Sequence, residues 1–185
     1  MLSAVIYLIL LLAPATSFAD AVSELVQKLK NTEEAYNITG TICEQAAKIE
    51  LEREFQPPRF NIQTGISYGM GGSTMGELDV VVFDADKVTM VAEVKCWKDF
   101  GDALQKAKSQ RKRFQQALGS GRELLFWHDK VQYDPAQFNG LRVFESISQK
   151  GGKANGFNRE LSFSLDELMD ARQRLLTCQA GGRCE

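Results

Sequence analysis

The stretch from Gly76 to Trp97, GELDVVVFDADKVTMVAEVKCW, constrains the fold of this chain more than any other. Two apolar runs flank the turn signal Asp84-Ala85-Asp86-Lys87, a pattern that predicts a β-hairpin. Side chains alternate faces along a strand, so Glu93 and Lys95 share one face. Asp79 joins them only if the hairpin has the right parity. Pairing Asp79 with Glu93 centres the hairpin on Asp86 and calls for an odd loop of three or five residues. A two-residue loop would set Asp79 against Ala92 and send the acids to opposite faces. With the right parity, two carboxylates and an ammonium meet on an apolar sheet. That arrangement is costly unless the charges hold an ion and do chemistry.

The hairpin sits inside an ordered series of elements. Val22, Leu25, Val26 and Leu29 predict an amphipathic helix over Asp20 to Lys30. A second helix is expected from Thr41 to Phe55, stopped by Pro57-Pro58. Phe60 to Tyr68 alternates as a strand, and glycine-rich Gly69 to Gly76 reads as a loop. Asp99 or Asp102 caps a long helix that ends at Gly119-Ser120-Gly121. Glu123 to His128 is apolar enough for a buried strand, and Leu141 to Ile147 predicts another. Ser164-Leu-Asp-Glu167 is a capping box that opens a last helix, running to about Thr177.

Composition bounds the rest. Residues 1–19 read as an export signal: Leu2 to Ala13 is apolar, and Ser17 and Ala19 are small residues placed before Asp20. No Lys or Arg precedes that run, and it is short of the roughly 20 apolar residues a spanning helix needs. A cleaved signal leaves 20–185 as a single secreted or periplasmic domain without a transmembrane segment, and the alternative is an uncleaved membrane anchor. The formal net charge of -2 excludes a strongly basic nucleic-acid coat protein but not a local basic surface. Four cysteines, Cys43, Cys96, Cys178 and Cys184, favour disulfides in an exported chain. Cys178 and Cys184 bracket a flexible loop and are an easy pair, with Cys43 and Cys96 remaining, but all three connectivities stay open. A single histidine, His128, excludes a ribonuclease that works with two. No GxSxG or phosphate-binding glycine motif is present.

Asp79 in one strand, Glu93-Val94-Lys95 in the next and a basic helix after them together resemble the PD-(D/E)XK nuclease superfamily. The Pro of its name is absent, since Leu78 precedes Asp79. The resemblance implies an α/β fold with a restriction-endonuclease-like αβββαβ core, a mixed central sheet flanked by helices, supplied here by about Thr41 to Asp129. Gly40-Thr-Ile-Cys-Glu44 resembles the first helix of the resolvase-like members. Gln110-Arg-Lys-Arg-Phe114 resembles the glutamine-plus-aromatic motif of RecB-like members. Independently, Ala103, Ala107, Phe114 and Leu118 outline that helix's apolar face, and Gln110 falls on it.

These readings assign a site. Asp79, Glu93 and the Val94 backbone carbonyl are expected to bind Mg²⁺ or Mn²⁺, since hard cations take oxygen ligands and one or two carboxylates suffice. Lys95 is expected to orient the attacking water, Glu44 to hold a second ion or a water, and Gln110 to orient Lys95, water or substrate. Glu77 shares the face of Asp79 and competes with it as ligand, but Asp79 is deeper in the strand. Lys98, Lys106, Arg111 and Arg113 are expected to follow phosphates. The expected function is an exported metal-dependent nuclease acting on DNA, with a homodimer where both strands of a duplex are cut. The alternatives are a non-catalytic exported nucleic-acid-binding module that keeps the fold, and a structural envelope protein.

Overall fold

A computed structural model describes residues 18–181. The expected export signal lies outside the described residues except for Phe18 and Ala19, which open the first helix. The helices are α1 (Phe18–Leu29), α2 (Thr41–Leu51), α3 (Phe100–Leu118) and α4 (Leu165–Gly181). The strands are β1 (Phe60–Met70), β2 (Ser73–Asp84), β3 (Lys87–Val94), β4 (Leu125–His128), β5 (Val131–Tyr133), β6 (Val143–Ser148) and β7 (Arg159–Glu160). They form one seven-stranded sheet in the order β5-β4-β1-β2-β3-β6-β7. β1, β2 and β3 run antiparallel in succession, while β3, β6 and β7 are parallel. The fold is therefore α/β with a mixed sheet. No helix among the described residues is long and apolar enough to cross a membrane.

Helices cover both faces. α1, α2 and α4 pack on one side, where Leu25, Ile42, Ala46 and Leu168 meet Val80, Val82 and Ala92. α3 packs on the other, where Phe114 meets Tyr68, Leu78 and Phe126. Asp99 caps α3 by accepting the Asp102 N–H at 2.9 Å, and the Ser164–Glu167 capping box opens α4. Buried Ala103 and Ala107 are small enough to seat α3 closely on the sheet between β3 and β6.

Two expectations about strands are corrected. Gly69 to Gly76 is not a loop: β1 continues to Met70 and β2 begins at Ser73, leaving Gly71-Gly72 at positive φ as the turn. Glycine content marked the turn correctly but hid the ladder around it. The expected core from Thr41 to Asp129 also changes. The strand after α3, β4, pairs antiparallel with β1 on the far side of the sheet. The parallel neighbour of β3 is β6. The link from α3 crosses to the β1 edge and returns, so the last strand of the central unit lies about twenty residues later than sequence order suggests.

The hairpin register is the third correction. Asp84 pairs with Lys87, so Ala85 and Asp86 make a two-residue turn with Ala85 at φ 53°. That turn alone would set Asp79 against Ala92. A bulge intervenes, because Phe83 pairs with Val88 but Val82 pairs with Met90, leaving Thr89 as the extra residue. Beyond it Val80 faces Ala92, and the next step of the ladder sets Asp79 against Glu93. The parity condition holds, met by a bulge and not by an odd loop. The packing shows the same shift: Val88 and Val91 belong to the α3 layer, Met90, Ala92 and Val94 to the opposite one.

Candidate active site

Asp79 lies where β1 and β2 change face together. Ile62, Val80 and Val82 pack under α1, α2 and α4, whereas Ile66 and Leu78 pack under α3. The change falls between the pairs Thr64–Val80 and Ile66–Leu78, at Gly65. Gly65 has φ 68°, which a side chain would disfavour. At this change of face the Asp79 carboxylate turns toward β3.

It turns onto the ExK segment. Asp79 Oδ2 accepts the Val94 N–H at 2.7 Å and is ion-paired with Lys95 Nζ. The same ammonium donates to the Val94 carbonyl at 3.0 Å and stands 3.6 Å from Glu93 Oε2. The three oxygens expected to share a divalent ion therefore converge on one positive charge. Asp79 and Glu93 are 4% and 3% exposed, so this charge cluster sits in a medium of low polarity.

Its electrostatics follow from that burial. Burial first, and the charge of Asp79 second, push the Glu93 carboxyl up to about 8. Glu44 rises to about 8 for the same two reasons, with Glu77 adding to them. Glu77 is raised by burial and by Asp79. Burial acts to lower Lys95, but Asp79 and Glu93 outweigh it and hold the ammonium above its ordinary range. Among the described residues, two side-chain atoms are buried without a hydrogen-bond partner, Glu93 Oε2 and Gln110 Oε1. Buried acceptors left unpaired are costly in a folded protein, so both point to a missing donor or cation.

Of the residues expected from sequence, Asp79, Glu93, Val94 and Lys95 are brought together, with Glu44 close enough for its charge to be felt by Lys95. Gln110 does turn inward on α3. Arg113 is near enough for its charge to act on Glu93. Lys98, Lys106 and Arg111 make no ion pair among the described residues; the two lysines are exposed and Arg111 is half-buried. Trp97, the last residue of the Gly76 to Trp97 stretch, is 44% exposed just past the end of β3.

The donor set is all oxygen, which suits Mg²⁺ or Mn²⁺ and not a thiolate- or imidazole-seeking metal. No three Asp, Glu, His or Cys side chains among the described residues form a ready-made cation cluster. The Lys95 ammonium stands at the centre such a cluster would have. The Glu93 oxygen, which has no hydrogen bond and only the ammonium 3.6 Å away, and the raised carboxyls of Glu93, Glu44 and Glu77 fit a divalent ion, which would supply the charge they lack.

Several residues of the site escape a reading of the sequence. A cleft of about 380 Å³ is walled by Ile38, Glu44, Gly65, Glu77, Trp127 and His128, and it meets the cluster through Glu44 and Glu77, whose carboxyls both feel the charge of Asp79. Glu77 ranks behind Asp79 by its place in the strand, yet the twist at Gly65 keeps it in the cleft. His128 ends β4 with Nδ1 3.0 Å from the Gly65 carbonyl. Buried Ser148 and Gln149 fix the chain that carries Lys95. The Ser148 hydroxyl donates to the Lys95 carbonyl at 2.6 Å, and Gln149 Nε2 donates to the Trp97 carbonyl at 2.7 Å. Two adjacent polar residues closing the strand pattern at Ser146 to Gln149 were the available signal.

One disulfide joins Cys43 to Cys96. Cys178 is also disulfide-bonded, and its expected partner Cys184 lies outside the described residues. Comparison with protein-family models, with curated proteins and with solved structures returns no match, so the reading of this site rests on its own geometry.

Proposed function

We propose that this protein is an exported, divalent-metal-dependent nuclease that hydrolyses phosphodiester bonds of DNA, with a restriction-endonuclease-like core of the PD-(D/E)XK type. The observation that carries the reading is the convergence of Asp79 Oδ2, Glu93 Oε2 and the Val94 carbonyl on one cation, Lys95 Nζ. The order α2, β1, β2, β3, α3, β6 supports the αβββαβ core, with β6 in place of the strand expected at Glu123 to His128.

Asp79, Glu93 and the Val94 carbonyl would hold Mg²⁺ or Mn²⁺, with Glu44 beside them. When bound, the ion supplies Lewis-acid polarisation of the phosphate and acidifies water. With those oxygens taken up by the ion, the Lys95 ammonium would be free to orient the attacking water and to neutralise a phosphate oxygen. Gln110 Oε1, an acceptor without a donor, takes a hydrogen bond from that water and aims it at phosphorus. The water oxygen bonds to phosphorus as the P–O bond to the leaving sugar oxygen breaks, and the water's proton passes to solvent. Lys98 just before α3, and Lys106, Arg111 and Arg113 on it, would meet the flanking phosphates.

The test is cleavage of circular and linear DNA by the purified protein with Mg²⁺, with Mn²⁺ and with EDTA. Cleavage that needs the ion and disappears in Asp79→Asn and Lys95→Ala is expected. No cleavage of DNA or RNA with either ion, or full activity in Lys95→Ala, would sink the proposal. One observation favours a second reading, a binding module without turnover: Lys95 is already closed on Asp79 and Val94. That reading expects salt-sensitive gel shifts that are indifferent to EDTA.

A further inference from the structure

The Cys43–Cys96 bridge spans 53 residues of sequence and joins the immediate neighbours of two site residues. Cys43 precedes Glu44 on α2. Cys96 follows Lys95 at the end of β3. The two Cα atoms are 6.3 Å apart, and both cysteines are buried in the layer formed by α1, α2 and α4. We propose that this disulfide is a positioning element of the candidate site, holding Glu44 against the Asp79–Lys95 cluster, so that the site is complete only in the oxidised protein. The proposal rests on the nuclease reading above.

The attachments of the two flanks carry the argument. The Lys95–Trp97 segment is fixed from the β6 side. The Lys95 N–H donates to the Ile147 carbonyl at 2.9 Å, and Ser148 and Gln149 hold the Lys95 and Trp97 carbonyls. α2 has no such hold on β3. Among the described residues, no hydrogen bond or ion pair joins α2 to residues 87–97. Its polar tie into the sheet runs to β1, where Gln45 Nε2 donates to Thr64 Oγ1 at 2.9 Å. Apart from the bridge, what joins α2 to β3 is apolar and non-directional: Ala46 and Ala47 share one buried core with Met90, Ala92 and Val94.

Glu44 makes no side-chain hydrogen bond or ion pair among the described residues, so its position is only as definite as that of its helix. The bridge transfers the fixed position of Lys95 and Cys96 to Cys43, and so to the adjacent Glu44. Without the bridge, α2 keeps its Gln45–Thr64 bond to β1, but no polar contact ties it to β3, the strand that leads into Lys95. Groups that orient a metal's ligands typically change affinity or activity by about 10- to 100-fold when removed.

The experiment uses the whole protein in oxidised and reduced states, together with Cys43→Ala/Cys96→Val, whose apolar side chains keep the core filled. Mn²⁺ affinity is read by calorimetry, DNA cleavage by rate, and fold by circular dichroism. Cys178→Ser/Cys184→Ser controls for the other bridge and should respond to reductant as the unaltered protein does. The expected result is a native spectrum with Mn²⁺ affinity and cleavage both reduced about 10-fold or more on reduction. Both are restored on reoxidation, and the Ala/Val variant shows the same loss without responding to reductant.

Undiminished Mn²⁺ binding and cleavage in the folded reduced protein or in the folded variant would overturn the proposal. Unfolding of both would overturn it too, by making the bridge a fold-stabilising cross-link. An oxidised protein that neither binds Mn²⁺ nor cleaves removes the nuclease reading itself, a failure distinct from an active oxidised protein that ignores reduction.

Discussion

Glu93→Gln should make this protein more stable and less active, and the gain in stability should grow with pH. Glu93 is 3% exposed, and its carboxyl is pushed from 4.5 up to about 8, by burial first and by Asp79 second. Between those values the folded protein keeps a proton that the unfolded chain has lost. Stability of the unaltered protein therefore falls as pH rises through that window. Glutamine has nearly the same volume and no proton to lose. Each pH unit inside the window is worth at most about 1.4 kcal/mol, so the advantage of the glutamine variant should grow by a few kcal/mol at most between pH 5 and pH 8. Lys95 keeps its pairing with Asp79 in the variant, so no ammonium is stranded.

The assay is urea unfolding of both proteins in EDTA at pH 5, 6.5 and 8, followed by Mn²⁺ titration and DNA cleavage of the folded samples. Cleavage should fall by more than the roughly 100-fold that outer partners of a metal site cost. A stability difference that stays flat with pH would refute the account of Glu93 as a buried acid held neutral. Cleavage retained at the original rate would refute its role as ligand.

Three further outcomes are expected. Deleting Thr89 removes the bulged residue but preserves the Val82–Met90 and Val80–Ala92 pairings, so the deleted protein should fold and cleave; a folded, inactive product would show that register is not what the bulge provides. Gln110→Leu removes a buried acceptor without a partner, so chemical denaturation should show a stability unchanged or raised by about 1 kcal/mol, while kcat falls at constant KM; an unchanged kcat would remove Gln110 from the site. Lys106→Ala and Arg111→Ala should each reduce the slope of log affinity against log salt by about 1 and leave single-turnover cleavage at low salt unchanged; an unaltered slope would place the phosphates elsewhere.

Much of the site was legible because it depends on local periodicity. Glu93 and Lys95 share a face in any strand, and Gln110 lies between Ala107 and Phe114 on the buried side of any helix with that sequence. Asp99 and Ser164 announced the starts of α3 and α4 through side chains that reach only a few residues. The hairpin register was legible only as a condition. Its turn shows in Asp84 to Lys87, but nothing in Val88-Thr89-Met90 marks which residue is squeezed out of the ladder. That choice is made by the two cores, which claim Val88 for one face and Met90 for the other.

What the sequence determined by itself was the chemistry of the side chains and which of them travel together: the ExK pair, the basic helix that follows it, and an even set of cysteines. Tertiary structure decided which of these meet. It joined Cys43 to Cys96, took β6 and not β4 as the parallel neighbour of β3, and turned Asp79 onto Lys95 at the twist beside Gly65. The physical reason is range. Periodicity and capping act over a turn of helix or two strand positions. Pairing across the sheet is selected by burying both apolar faces at once, a condition that no single segment can state.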